Sequence, residues 1–328
     1  MDPLVKVAGL REAYERLITE DTAVRYAIGS MQPIDAEYTA RTIAERDRVQ
    51  NQLADGYSAV SLTIAFDYQG SVTNDTHIRA FSDVDLLTVE RRWHAIVPPA
   101  SYPYNGDPIQ DLREIRLRTV EILRSAFPAA TVDQSKGKCV NISGGSLKRR
   151  IDLVSSAWWF TAEYLTSRER QWLGIEILDD TKGERVQNRP FLHNKRVEER
   201  DSETNGGLRK AIRLFKSLKY DSDEKIELSS YDVASIAYNI FTSWLTVPSG
   251  QDLLLVSNAR DYLRYLLADE DYRATIEVPN RMRKVFENGG ATVAGLRQLS
   301  TALDALVDES DRELNRSLRK LKEARILY

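Results

Sequence analysis

Between Val60 and Tyr68 every second residue is bulky and apolar or aromatic, Leu62, Ile64, Phe66 and Tyr68 in turn. That is the period of a half-buried strand. A second apolar run, Asp83 to Val89, predicts another strand lying beside it. Around this pair the spacing is helical. Val7, Leu10, Tyr14, Leu17 and Ile18 share one helical face, and a long, partly polar spine helix is expected from Pro33 to about Leu53. Gly29-Ser30 reads as the turn between them. Past a loop holding Pro98, Pro99 and Pro103, Asp107-Pro108 reads as an N-cap and first helical residue. Leu112, Ile115, Thr119, Ile122, Ala126 and Phe127 then trace a helix that Pro128 ends. Cys139 to Ile142 and Leu147 to Val154 flank Ser143-Gly144-Gly145-Ser146, a hairpin signal. A helix around Thr161 to Trp172 and short strands at Ile175 to Leu178 and Arg185 to Gln187 complete this half.

After Pro190 the texture changes. From about Asn205 onward nearly everything reads as helix, with caps at Asn205, Ser229 or Ser230, and Ser249. Pro248 and Gly289-Gly290 separate helices. Leu296, Leu299, Leu303 and Leu306 recur at three-four spacing, as do Leu314, Leu318 and Leu321, which suits a helical bundle. The expected fold class is therefore α+β and bilobal. A mixed-sheet core with its spine helix occupies residues 1–195, a helical lobe residues 196–328, and a cleft lies between them.

Composition narrows the classes. The chain has 328 residues, 42% hydrophobic and 29% charged, with a net charge of −3. That balance argues against a surface coated in nucleic acid, though not against a local basic groove. One cysteine, Cys139, excludes a disulfide framework within the chain, and with three histidines it leaves too few soft ligands for a zinc module. Met1-Asp2-Pro3-Leu4 lacks the basic and apolar regions of a signal peptide, and no apolar run reaches membrane-spanning length. A cytoplasmic protein without a membrane partner is expected.

The chemistry concentrates between the first two strands. Gly70-Ser71 ends the first, and eleven residues, Val72 to Ser82, separate it from Asp83-Val84-Asp85. On a strand Asp83 and Asp85 share a face while Val84 and Leu86 point into a core. Two adjacent carboxylates repel, and a hard divalent cation removes the conflict. The Gly-Ser turn can bring backbone N–H groups and a hydroxyl to phosphate oxygens. The third carboxylate is expected from Asp152, flanked by apolar Ile151 and Leu153. Three such aspartates can hold two Mg²⁺, with Mn²⁺ as the alternative ion. The bland alternatives are a solvent-facing strand edge for Asp83 and Asp85, and an ion pair to Arg149 or Arg150 for Asp152.

Further features lie in the helical half. Arg209, Arg213 and Lys216 form a basic stripe with Lys216 at the border of an apolar face, read either as a solvated surface or as a Lys216 ammonium directed at a triphosphate. Ser229 or Ser230 caps a helix and can bind phosphate at its N-terminus. Tyr231 can stack on a base or simply pack. Trp158, Trp159 and Trp244 read as packing, and His77, His94 and His193 receive no role. No Ser-His-Asp set, P-loop or dinucleotide-binding glycine pattern is present.

Gly70-Ser71, Asp83-Val84-Asp85 and Asp152 resemble the signature of the DNA polymerase β-like nucleotidyltransferases. Arg213-Leu214-Phe215-Lys216 followed by Ser229-Ser230-Tyr231 is similar to the branch containing oligoadenylate synthetase, animal cyclic GMP-AMP synthase and the bacterial CD-NTases. The resemblance runs from about Ile34 to Trp244. It implies a nucleotidyltransferase that makes a cyclic di- or oligonucleotide second messenger from NTPs with release of pyrophosphate, in antiphage (CBASS-type) defence. It implies that Asp83, Asp85 and Asp152 bind two Mg²⁺ and that Gly70 and Ser71 hold the donor triphosphate. Lys216 and Ser230 would contact its phosphates, and Tyr231 its base. ATP, GTP or pyrimidine NTPs would be substrates, and an effector protein would sense the product. The animal sensor's zinc insertion is missing, so zinc-dependent DNA sensing is not expected. Transfer of one nucleotide to a protein, RNA or small molecule remains the alternative, and a catalytically inactive nucleotide-binding protein a third.

Overall fold

The structure, a computed structural model, describes residues 22–79, 83–97, 104–287 and 289–326, with side chains up to residue 316. The expected helix of Val7 to Ile18 lies outside the described residues. The chain divides into two compact units: residues 34–198, and the segment up to Pro33 together with Glu199 onward.

In the helical unit the first described helix is α1 (Thr22–Met31). Gly29 and Ser30 lie inside it, so the expected interhelical turn there is corrected. The expected assignment of residues 1–195 to one core is also corrected at its start. Ala23, Val24, Ala27 and Met31 are buried, and α1 packs on helices of the C-terminal part of the chain. Charge at both ends fastens it. The Glu313 carboxylate accepts hydrogen bonds from Ala23 N (3.1 Å) and Val24 N (3.0 Å), satisfying donors that a helix start leaves open. At the other end Arg213 Nε donates to Met31 O at 2.9 Å.

The α/β unit begins with the spine helix α2 (Ala36–Ala59). It starts three residues after Pro33, because Asp35 caps it by accepting from Glu37 N and Tyr38 N. It also runs six residues past the expected end at Leu53. Strand β1 (Ile64–Gln69) pairs antiparallel with β2 (Val84–Ile96), side by side as the alternation predicts. Asp107 caps α3 (Pro108–Ala126), with Pro108 in its first turn. Strands β3 (Thr131–Asp133), β4 (Val140–Gly144) and β5 (Leu147–Phe160) follow. Gly144 and Gly145 both have positive φ, +78° and +61°, the backbone a tight hairpin demands. In place of one helix over Thr161 to Trp172, α4 (Ala162–Ser167) stops where Arg168 turns left-handed. β6 (Leu173–Asp179) and β7 (Glu184–Asn188) then form an antiparallel pair.

The sheet runs β1-β2-β5-β4-β3, with β6 and β7 extending from β5. The β2–β5 pairing is parallel and the others are antiparallel. Val84, Leu86, Ile151 and Leu153 point to one face, where Val49, Leu53 and Tyr57 of α2 and Leu112, Ile115 and Leu123 of α3 cover them. Leu87, Val89 and Val154 point to the other face with Ile175 and Phe191. Asp85 and Asp152 share the parity of that second set.

The division between the units falls inside α5 (Pro190–Glu203), close to the expected boundary. The remaining helices are α6 (Gly207–Asp221), α7 (Ser230–Tyr238), α8 (Thr242–Leu245), α9 (Asp252–Ala268), α10 (Glu270–Thr275) and α11 (Val293–Ile326). The expected caps at Asn205 and Ser249 give way to a left-handed Gly206 and to Gln251, while Ser229 caps α7. Leu296, Leu299 and Leu303 of α11 are fully buried, as bundle packing predicts, whereas Leu314 is exposed.

The Glu313 contacts to α1 generate a prediction. Glu313→Ala removes the carboxylate acceptor of both backbone amides and is expected to destabilise the helical unit by about 1–2 kcal/mol. Urea unfolding followed by circular dichroism measures this, and an unchanged midpoint would show that the Glu313 contacts add nothing to the hold of the apolar face and Arg213 on α1.

Candidate active site

The backbone ladder determines which carboxylates meet. In the parallel pairing of β2 and β5, Asp85 lies opposite Asp152, and parallel partners project to the same side of a sheet. Asp83 stands one residue before β2. β2 is an interior strand between β1 and β5, so the alternative of a strand edge for Asp83 and Asp85 does not hold. Asp152 sits low among apolar neighbours, its side chain 15% exposed, while Asp83 is 44% exposed.

Arg150 stands between these two. Its Nε lies 3.1 Å from Asp152 Oδ1 and 3.7 Å from Asp83 Oδ2. The ion pair weighed for Asp152 is therefore present, made by Arg150. Arg149 points elsewhere, with its guanidinium 4.0 Å from the centre of the Tyr38 ring on α2. The spine helix also holds the start of β5, since Glu45 Oε2 accepts from Lys148 N and Arg149 N at 3.0 and 2.9 Å. Cys139 Sγ lies 3.7 Å from Asp152 Oδ2, and burial followed by the Asp152 charge pushes its thiol up to about 11. It is an inert neighbour rather than a nucleophile.

Asp85 takes part in a different contact. In the β1–β2 register it faces Gln69, and the next residue is Gly70. Gly70 has φ +88°, and a Cβ there would come within 1.9 Å of Asp85 Oδ2. Glycine is thus required twice, for the backbone conformation and for the room the carboxylate occupies. Beyond it the turn closes on itself, with Thr76 N donating to Ser71 O at 2.9 Å. His77 Nε2 and Thr39 Oγ1 of α2 are hydrogen-bonded at 2.9 Å, tying the turn to the spine helix.

Burial raises the pKa of the Asp83 carboxyl above its usual range, and the charge on Asp152 adds to the shift. Arg150 and Lys136 oppose it without cancelling it. Among the described residues no group of three or more His, Cys, Asp and Glu side chains is gathered as a ligand set for a metal. Asp85 lies against Gly70, while Arg150 bridges Asp83 and Asp152. The donors themselves, all carboxylate oxygens with surplus negative charge, suit a hard divalent cation.

In the helical unit Arg213 and Lys216 are each 5% exposed, so the solvated-surface alternative for the stripe does not hold there. Arg213 belongs to the α1 contact, and Arg209 pairs with Asp201 at 2.9 Å. Ser229, not Ser230, caps α7, its Oγ accepting from Asp232 N at 3.0 Å. Ser230 Oγ meets the Tyr220 hydroxyl at 3.0 Å. Tyr231 donates to Asn280 Oδ1 at 3.0 Å, and burial raises its hydroxyl to about 12. Arg283, ion-paired with Asp232, stands 5.5 Å from the Tyr231 ring centre. A cavity of about 600 Å³ opens at the turn between α6 and α7, lined by Lys219, Tyr220, Lys225 and Ser229 among others.

Comparison with known proteins now decides the family. Residues 195–308 match the cGAS/DncV-like nucleotidyltransferase C-terminal helical domain. A cyclic dinucleotide synthase CdnE of Yersinia aleksiciae is 37% identical over 95% of this chain and 83% of that protein. The chain belongs to the CD-NTases. A c-di-GMP synthase of Lachnospiraceae bacterium (strain RUG226) is 31% identical over 69% of this chain and 73% of its own. The solved STING-associated CdnE c-di-GMP synthase from Capnocytophaga granulosa superposes with a TM-score of 0.73 at 26% identity, covering 94% of each chain. The mixed-sheet core and the helical C-terminal domain of this CD-NTase are those of a nucleotidyltransferase. Among its described residues no helix is long and apolar enough to cross a membrane.

Sequence reasoning named the three aspartates and Gly70 but gave Arg150 only as a rival partner for Asp152. The signal was available, because residues 150 and 152 share a strand face. Lys136 and Glu45 carried no such signal, since their proximity to the site arises from tertiary folding.

Two predictions follow from this geometry. Gly70→Ala should lower kcat/KM for NTP turnover by about 100-fold, the scale of a roughly 1 Å misplacement at a reacting centre, while circular dichroism stays unchanged. The second concerns pH. An acid whose folded pKa is raised binds more protons folded than unfolded, so its contribution to stability falls as pH rises through that pKa. In EDTA-treated protein Asp83→Asn should match wild type in thermal stability near the bottom of the carboxylate range and exceed it at neutral pH. A gap that does not open with pH would show that Asp83 carries no such cost.

Proposed function

We propose that this CD-NTase joins NTPs into a cyclic di- or oligonucleotide, releasing pyrophosphate. The observation that carries the reading is the register pair of Asp85 and Asp152, with Asp83 coupled to Asp152, in a chain 37% identical to a cyclic dinucleotide synthase. In the reaction a ribose hydroxyl of one nucleotide attacks the α-phosphorus of another. A phosphodiester P–O bond forms, the α–β anhydride bond breaks, and the hydroxyl proton passes to solvent or a base. A second such transfer closes the ring.

Asp83, Asp85 and Asp152 would hold the Mg²⁺ or Mn²⁺. A bound pair of such ions supplies a lowered hydroxyl pKa and charge neutralisation on the pyrophosphate. The chain's own task is placement. β2 and β5 present the carboxylates from a rigid ladder, and the Gly70-Ser71 turn offers backbone N–H groups and a hydroxyl to the donor phosphates. In the helical unit we assign Lys216 and Ser230 to phosphate and Tyr231 to a base. The burial of Lys216 supports this, because a buried ammonium acts in low dielectric, where its charge is stronger than in water.

ATP and GTP are the substrates this reading favours, and c-di-GMP synthesis by two of the relatives supports purines. We extend it to antiphage (CBASS-type) signalling, with a separate effector protein as the receiver of the product. The STING-associated Capnocytophaga synthase supports that step.

The test is incubation of purified protein with labelled NTPs and Mg²⁺, followed by phosphatase treatment and mass spectrometry. A phosphatase-resistant cyclic product is expected, with Asp83→Asn and Asp152→Asn each reducing it about 1,000-fold. A linear product, or label on a macromolecule, would replace cyclisation with single-nucleotide transfer.

A further inference from the structure

Arg150 differs from two other arginines that reach aspartates in the same unit. Arg116 also reaches an aspartate, but its Nη2 is filled by the carbonyls of Gln134 and Lys136, at 2.7 and 2.6 Å. Arg170 places Nη2 on both oxygens of Asp67, at 2.5 and 2.7 Å. Arg150 engages the aspartates through Nε, 3.1 Å from Asp152 Oδ1 and 3.7 Å from Asp83 Oδ2. Its Nη2 is buried and finds no hydrogen-bond partner among the described residues. A donor left empty in a buried position is costly, and although Arg200 Nε is left so as well, only the Arg150 donor stands beside the aspartates. The same guanidinium therefore bridges the two carboxylates and holds a vacant donor beside them.

We propose that Arg150 is the resident counter-ion of the aspartate site, competing with the divalent cation for Asp83 and Asp152. This rests on the reading of those aspartates as metal ligands. The guanidinium is a delocalised cation that cannot lose its proton and cannot enter a close oxygen shell as a metal does. It relieves the repulsion between the carboxylates without gathering them, which is the arrangement seen. Binding of a hard cation to the same oxygens requires Arg150 to let go. Its fork then becomes available to an oxyanion, the class to which a triphosphate belongs. Arg150 is a positioning residue in this account: it sets how tightly the site takes its ion and acts on the reaction through the carboxylates.

The experiment is Mn²⁺ titration of the EDTA-treated full chain, read by electron paramagnetic resonance of free Mn²⁺ and by the thermal shift at saturation. Arg150→Gln is expected to bind Mn²⁺ about 5-fold more tightly than wild type, the scale of one partly exposed ion pair. Its EDTA-treated form is expected to melt lower than wild type, with a larger Mn²⁺-induced rise. Arg149→Gln removes the same charge one residue away, on the Tyr38 side, and should change affinity less than about 2-fold. Asp152→Asn, expected to lose the binding, identifies the titrated site. Should Arg150→Gln fail to fold, Arg150→Met, which removes the charge and keeps the unbranched stem, is read by the same criterion. Equal Mn²⁺ affinity in wild type and the Arg150 variants, or an equal gain in Arg149→Gln, overturns the proposal and leaves the metal site standing. No saturable Mn²⁺ binding in wild type overturns the metal reading itself, and the proposal with it.

Discussion

A conflict of like charges, imposed by backbone hydrogen bonds, underlies the α/β unit. The parallel ladder of β2 and β5 brings Asp85 opposite Asp152. Like charges facing each other across strands cost up to about 1 kcal/mol. The neighbours in the same register settle which term wins. Val84 is paired with Ile151, and Leu86 with Leu153, and all four are at most 2% exposed in the core beneath α2 and α3. Burying side chains of this size gains about 1.5–3 kcal/mol each. The carboxylates cannot separate by slipping the register, because a shift of one residue would turn the apolar set out of that core. Beside that register Arg150 sets its guanidinium against Asp152 and Asp83.

That constraint explains why much of the site could be read before any fold was in view. Aspartates interrupting two apolar runs are a local signal, since a charge among such neighbours needs a partner. The Gly-Ser pair carries a second local signal. The structure supplies its cause, the Asp85 carboxylate lying where a side chain at Gly70 would be. Spacing alone could not reveal the order of strands. The pairing of β2 with β5 joins residues more than sixty positions apart, and the third aspartate could be proposed only from its apolar flanks.

The helical unit shows the opposite limit. Helix existence followed from three-four spacing, but starts and stops were decided by caps that compete closely: Asp35 over Pro33, Gly206 over Asn205, Gln251 over Ser249. The short N-terminal helix was misassigned because its anchors are distant. Glu313 fills its first amides and Arg213 its last carbonyl, across about 290 and 180 positions. The basic stripe on α6 was ambiguous for the same reason. Amphipathic spacing identifies an apolar face, but a charged residue at its margin is solvated or buried according to what packs over it, and here Arg213 and Lys216 are buried.

The two units thus handle buried charge in different ways. Arg213 and Glu313 complete the hydrogen bonding of a helix, so their charges are spent on structure and leave little to exchange. Arg150 and Asp83 are only partly covered, and the guanidinium keeps a donor unfilled. An ion pair of that kind adds little to stability, yet it remains responsive to a stronger cation because little is lost when it parts. A fully satisfied, buried pair would be costly to break and would resist the exchange. The weakness of the Arg150 contacts leaves Asp83 and Asp152 open to exchange with a stronger cation.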